Sequence, residues 1–368
     1  MNMNRKIVFF IIKSGNVINE IKRYSQSDLY LKNVYCPVWD YIPQFYKAFG
    51  DINKKIQVFW IGFGGQTKKE RYFEKYLKYG DYFINFNKKI PKLLKNIIIL
   101  SFLIREKPDV IVNISGRMSS FSLFLYSMIN NEVKFLNFLA GEYQINNFQF
   151  MFKNVLQRSK KTYVMNTGTK RLFEKKISQE INLFSPLFTE DFMKTKINKI
   201  VINKDKLNIF YCGRFSDVKG IWDLFEIIKH FKNKNIIFHF IGRGKEEKLL
   251  KKRVKENFLL GIVKFHGFIP HETLYDYMKQ ADIGIIPSKK EGYCQVADEF
   301  LMSKVPIIAT NVGGLKDKVE NGINGYLVDK ENKIDNFVNV INYIYENPDL
   351  IKEMKKNINP KKFLNKSN

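Results

Sequence analysis

The chain has 368 residues, long for one hydrophobic core, so two domains of about 150 to 200 residues are the natural expectation. With 45% hydrophobic and 27% charged residues it falls outside the disordered class, and its apolar stretches, such as Ile97 to Ile104 and Phe121 to Ile129, fall well short of the ~20 residues that span a bilayer. The formal net charge of +26 is carried mostly by lysine, and codon bias of an A/T-rich genome yields the same Lys-, Asn-, Ile- and Phe-rich profile without a functional cause.

A basic surface attracts anionic membranes, nucleic acids or phosphorylated substrates. No nucleic-acid partner is expected, because the lysines are scattered and no recognised nucleic-acid module or aromatic-basic motif is present. The three cysteines, Cys36, Cys212 and Cys294, form no Cys-x-x-Cys pair and read as free thiols of a reducing, cytoplasmic compartment. The basic and then apolar start, MNMNRKIVFFIIKSG, lacks a small-residue cleavage site and fits a first core strand better than a signal peptide.

Ile7 to Ile12 is a continuous β-branched and aromatic run, the pattern of a strand buried on both faces of a parallel sheet. The loop after it carries Gly15, at a place where glycine-rich turns approach a phosphate or an acceptor. A helix is predicted over Trp39 to Phe49 and a strand over Ile56 to Ile61, closed by the turn Gly62-Phe63-Gly64-Gly65, which lacks the further glycine and acidic partner of a dinucleotide loop. Lys68 to Lys107 interleaves basic with aromatic and aliphatic residues. Two readings stand: an amphipathic helix packed on the sheet, or one lying on an anionic membrane.

Strands follow at Val110 to Ile114 and Phe135 to Leu139, with strand-end loops at Ser115-Gly116-Arg117 and Ala140-Gly141-Glu142. All four histidines, His230, His239, His266 and His271, lie in the second half, so the first holds no histidine base; the family resemblance set out below implies one near this last loop, on the acceptor side, and Glu142 is its nearest substitute by position. The polar segment 195–206 reads as a linker.

Beyond it the strand, loop, helix rhythm restarts. Leu207 to Cys212 is a strand ending in Gly213-Arg214, and Lys219-Gly220 precedes a helix from Ile221. One guanidinium and one ammonium reach the same strand end, where a diphosphate needs neutralising. Strands at Ile236 to Ile241 and Val263 to Ile269 carry the turns Gly242-Arg243-Gly244 and His266-Gly267. Ile283 to Ile286 stops at Pro287-Ser288, a loop carries Glu291-Gly292-Tyr293-Cys294, a helix follows from Gln295, and Val305 to Ala309 leads into Gly313-Gly314. Open α/β sheets bind ligands outside the carboxyl ends of their strands. A helix start there suits a phosphate, and Glu291 and Glu299, eight residues apart, can accept from hydroxyls on either side of it. Sugar on one side and ribose on the other is a nucleotide sugar.

The run Pro-Ser-x-x-Glu-Gly with Glu299, then Val-Pro-Ile-Ile-Ala-Thr-Asn-Val-Gly-Gly and Asn-Gly-x-Asn-Gly-Tyr-Leu-Val, resembles the donor half of family 4 glycosyltransferases, the retaining group with the GT-B fold. Gly213-Arg214-x4-Lys219-Gly220 resembles the same family's Gly-Arg-x4-Lys-Gly segment. The resemblance implies an α/β chain of two Rossmann-like parallel-sheet domains facing a cleft: an acceptor-side domain over 1–194, a linker over 195–206, a donor-binding domain over 207–345, and a helix and Lys-rich tail over 346–368 that crosses back in such enzymes. It implies a hexosyltransferase working on a nucleotide diphosphate sugar with retention of configuration. Glu291, Arg214 and Lys219 are then catalytic, and Gly15, Gly213, His266, Gly267, Gly292, Tyr293, Cys294 and Glu299 bind the donor.

No Asp-x-Asp pair is present, so no metal and no cofactor is expected, the donor itself being a substrate. The expected acceptor is a cell-surface glycan or lipid-linked precursor at the cytoplasmic face of the plasma membrane, with peripheral contact to anionic lipid. Two alternatives stand beside this: a catalytically silent GT-B partner subunit that only binds, and a GT-B sugar-nucleotide epimerase or inverting transferase.

Overall fold

The computed structural model describes residues 7–13, 56–62, 82–85, 91–113, 120–139, 150–183 and 202–363. The chain divides into two compact units, Met1–Phe184 and Ser185–Asn368.

The first unit is built on a parallel sheet of seven strands: β1 Ile7–Lys13, β2 Ile56–Gly62, β3 Tyr82–Asn85, β4 Val110–Asn113, β5 Lys134–Leu139, β6 Lys161–Val164 and β7 Ile181–Leu183. Their spatial order is β3-β2-β1-β4-β5-β6-β7, with Phe9 paired to Val58 on one side and to Val110 on the other. Helices α1 Lys92–Glu106, α2 Ser120–Ile129, α3 Phe150–Gln157 and α4 Thr167–Glu174 join the strands. Ile99 and Leu103 of α1 pack with Ile111, Leu123, Tyr126 and Phe135 in one buried cluster.

Lys107 ends α1 in a left-handed conformation with its N–H on Leu103 O, and Pro108 cannot continue the helix. That accounts for the Lys-Pro-Asp junction before β4. Of the two readings of the basic segment, packing on the core is seen for Ile99 and Leu103, while Leu93, Leu94 and Ile97 on the same helix are exposed. No helix among the described residues is long and apolar enough to cross a membrane.

The second unit carries a six-stranded parallel sheet: β8 Leu207–Cys212, β9 Ile236–Ile241, β10 Val263–Gly267, β11 Ile283–Ile286, β12 Ile307–Thr310 and β13 Gly325–Val328, in the order β10-β9-β8-β11-β12-β13. This is the doubly wound order, in which the chain turns back between β8 and β11. Helices α5 Ile221–Lys229, α6 Glu247–Glu256, α7 His271–Met278, α8 Gln295–Met302, α9 Lys333–Glu346 and α10 Asp349–Asn357 cover the sheet. The apolar stripe of α5 (Ile221, Leu224, Phe225, Ile228) packs with Phe238, Phe240, Phe337 and Ile341 in a single core.

Two local features differ from the sequence expectation. β12 begins at Ile307 rather than Val305, because Pro306 has no N–H for the ladder, although its carbonyl accepts from Gly284 N at 2.9 Å. Strands β3 and β7, four and three residues long, lack a legible periodicity. The C-terminal helix α10 contributes Ile351 and Met354 to the second unit's core, and Lys355 donates to Ala281 O at 2.9 Å.

Candidate functional site

The turn between β8 and β11 is where the site forms. Asp217–Lys219 makes a short 3-10 turn, and Gly220 closes it at φ 69°. A Cβ on Gly220 would lie 1.8 Å from Pro287 O, so only glycine lets this turn press against the end of β11. Lys289 N donates to Val218 O at 2.9 Å and ties the two loops together. Lys333, at the start of α9, donates to Pro287 O at 3.2 Å and pairs with Asp223 of α5.

This approach delivers Lys219 to Glu291. Its Nζ donates to Oε1 at 2.7 Å and Oε2 at 2.8 Å, and Ser288 Oγ donates to Oε1 at 2.7 Å. Glu291 is 5% exposed, whereas the Lys219 side chain is 36% exposed. A buried carboxylate held by charge-assisted bonds cannot rotate freely, and its ammonium partner remains partly open to solvent.

Cys294 stands before α8 at φ 64°, left-handed, and no side chain caps the helix. A left-handed residue followed by helical ones aims successive N–H groups into one concavity, which together with the helix dipole favours an anion. The Cys294 thiol is no nucleophile: burial, with the Glu291 charge adding, pushes it well above the ordinary range. Burial, with Glu299 adding, does the same to Cys212. Beside burial, the Glu299 charge adds to the rise of Cys212 at the end of β8, and the Glu291 charge to those of Tyr211 and Cys294. Tyr211 donates to Arg214 O at 2.9 Å, fixing that residue's backbone while its side chain stays exposed.

The neighbouring strand ends are laced by backbone bonds. Gly213 N donates to Ile241 O at 3.0 Å, Phe215 N to Arg243 O at 2.9 Å and Gly242 N to Gly267 O at 2.6 Å. His266 Nε2 lies 2.9 Å from His239 Nδ1, and His239 Nε2 lies 3.1 Å from Asn208 Oδ1. Asn208 Nδ2 donates to Asn203 O and Lys206 O, which leaves Oδ1 as acceptor. The network therefore assigns the proton of His239 to Nε2 and makes its Nδ1 accept from His266. Burial, reinforced by His266 and Lys264, pushes His239 down to about 3, and burial also lowers His266. One nitrogen of His266 is thus committed to the sheet.

Of the residues singled out from sequence, Arg214, Lys219, Glu291, Gly292, Tyr293, Cys294 and Glu299 gather at this turn, with Gly213, His266 and Gly267 on the adjoining strand ends. Gly15 and Glu142 lie outside the described residues. Among the described residues no group of three or more His, Cys, Asp or Glu could hold a metal ion. Sequence reading missed Ser288, Lys333 and the buried pair Asp298–Lys318; in a chain this rich in lysine, one lysine carries no signal until its burial is seen.

An uncharacterized glycosyltransferase of Methanocaldococcus jannaschii, MJ1178, is 33% identical over 141 residues, 38% of this chain and 39% of that protein. The chain's matches span less than half the length of such curated relatives. Among solved structures, Anabaena Alr3699/HepE in complex with UDP aligns over 96% of this chain and 93% of its own, with TM-score 0.64 and 15% identity. The lipopolysaccharide outer core galactosyltransferase WaaB in its apo form aligns over 98% and 96%, with TM-score 0.66 and 14% identity. These likenesses show the fold, the GT-B class of two parallel-sheet α/β units. Residues 192–360, the stretch that holds Arg214, Lys219, Glu291 and Glu299, match the model of the family described as glycosyl transferases group 1.

Proposed function

We propose that this protein is a glycosyltransferase that takes a hexosyl group from a nucleotide diphosphate sugar and transfers it with retention of configuration, as family 4 enzymes do. The observation that carries the reading is the Lys219–Glu291 pair beside the uncapped start of α8, at the crevice of a doubly wound sheet. An ammonium has three protons, and two are spent on Glu291. The third is available to a diphosphate oxygen, so Lys219 joins the leaving group to the carboxylate that holds the sugar. Arg214 and the N–H groups at the start of α8 add the rest of the positive field, stabilising the charge that develops as the nucleotide departs. No metal is required in this reading. Glu299 takes the ribose hydroxyls.

In a front-face reaction the departing phosphate accepts the acceptor's proton, so no histidine base is needed in the first unit. The relative crystallised with UDP supports a uridine donor, and the lipopolysaccharide galactosyltransferase supports a cell-surface glycan or lipid-linked acceptor. An acceptor of that kind would place the protein at the cytoplasmic face of a membrane, where its +26 charge favours anionic lipid.

The test is thermal stabilisation of the purified protein by a panel of nucleotide sugars and free nucleoside diphosphates in EDTA, followed by NMR of the product anomer. A shift with one base, lost in Arg214→Ala and Glu299→Ala, is the expected result. Absence of any shift, or a product of opposite configuration to the donor, would sink the reading.

A further inference from the structure

We infer that Lys318, together with Asp298 and Tyr293, is a positioning residue that holds the Gly292–Gln295 turn with its N–H groups facing the donor diphosphate. This rests on the function proposed above. Lys318 and Asp298 are buried, at 7% and 2% side-chain exposure, with Nζ and Oδ2 2.7 Å apart. The same Nζ donates to Cys294 O at 3.1 Å and stands 3.2 Å from the centre of the Tyr293 ring. Tyr293 in turn hydrogen-bonds Asp298. One ammonium thus binds a backbone carbonyl, a carboxylate and an aromatic face, all within seven residues of Glu291.

Lys318 is itself held. Its N–H donates to Leu315 O at 3.1 Å, and its carbonyl accepts from Asn324 Nδ2 at 2.9 Å. From the same segment Gly314 N donates to Gly292 O at 3.1 Å. A Cβ on Gly314 would come within 2.8 Å of Gly292 O and 2.7 Å of Tyr293 O, so the close approach requires glycine.

The consequence follows from peptide geometry. In a trans peptide the N–H points opposite to the C=O. With Gly292 O drawn to Gly314 and Cys294 O drawn to Lys318, the N–H groups of Tyr293 and Gln295 face the other way. The left-handed Cys294, a conformation disfavoured for a residue with a Cβ, is kept in place by the same bonds.

Stability alone is a poor reason for this cluster, since a buried ion pair can often be replaced by apolar residues with little loss. That property separates positioning from simple support. The experiment measures apo melting temperature and UDP and ADP affinity, by calorimetry, for the full chain and for Lys318→Met and Asp298→Leu/Lys318→Met. The single variant should melt lower, because Asp298 is left buried without its partner. The double variant should regain most of that melting temperature yet bind its nucleotide at least about tenfold more weakly, a loss of about 1.4 kcal/mol. Wild-type affinity in the double variant overturns the inference while the donor site stands. Should the double variant not fold, Lys318→Gln decides, since its amide keeps one donor for Cys294 O: equal nucleotide affinities in Lys318→Gln and Lys318→Met overturn it. A wild-type protein that binds no nucleoside diphosphate, with GDP, CDP and dTDP tested beside UDP and ADP, overturns both this inference and the function on which it rests.

Discussion

Glu291 and Lys219 lie 72 residues apart in sequence, yet three hydrogen bonds from Lys219 and Ser288 fix the carboxylate to within one rotamer. Glu291→Gln keeps the shape and removes the charge that Lys219 pairs with. Because Lys219 is about one-third exposed, the pair adds little stability, and the variant should melt within a few degrees of wild type. Transfer should drop about 100-fold in kcat/KM, roughly 2.7 kcal/mol of transition-state stabilisation. Steady-state kinetics beside a melting curve would show it; unchanged kcat/KM would remove Glu291 from the chemistry.

His239 makes a different prediction. Its folded value of about 3 lies below the unfolded value of about 6.5, so only the unfolded chain takes up the proton between them. Stability from the neutral imidazole is complete above about pH 6.5 and is lost as pH falls, by at most about 1.4 kcal/mol per unit. His239→Gln should therefore flatten the decline in melting temperature between pH 6.5 and 5, a window above most carboxylate titrations. His266 and Lys264, the titratable neighbours, stay in place in that comparison. Equal slopes for the two proteins would show that His239 is not held neutral.

At the scale of elements, what was legible was what parallel sheets impose. β8, β9 and β11 are buried along most of their length and read as largely apolar runs, broken only by Asn208 and His239, and their ends fell where the sequence put them. β3 and β7 escaped because strands of four and three residues leave no period to read. Lys219-Gly220 was legible as a motif, but its mechanism was not: the glycine serves β11, whose Pro287 carbonyl occupies the space a side chain would need. Gly220→Ala must shift that contact and adopt a positive φ, so it should cost at least about 2 kcal/mol of stability. It should also raise the donor KM, because Lys219 moves with the turn. Denaturant unfolding and donor titration check the two effects together. A fully stable Gly220→Ala protein would mean that the turn and the end of β11 are not in contact.

The whole molecule divides its legibility unevenly, and the reason is chemical. In the proposed function, recognition of a diphosphate and two sugar rings demands fixed charges at fixed strand ends, which would give the second unit its motifs; recognition of an acceptor places no such common demand, and the first unit shows only the rhythm of its sheet. The second unit also has its own sheet and its own core, from Ile209 through Met354, and holds every charged residue of the proposed donor site. A fragment of residues 185–368 should therefore unfold cooperatively and retain the nucleotide-induced thermal shift of the full chain. It should transfer no sugar, because the acceptor belongs to the other unit in the proposed function. A fragment that folds but shows no shift would mean that the first unit contributes to the donor site itself, and the diphosphate cradle at Lys219 and α8 would then be only part of it.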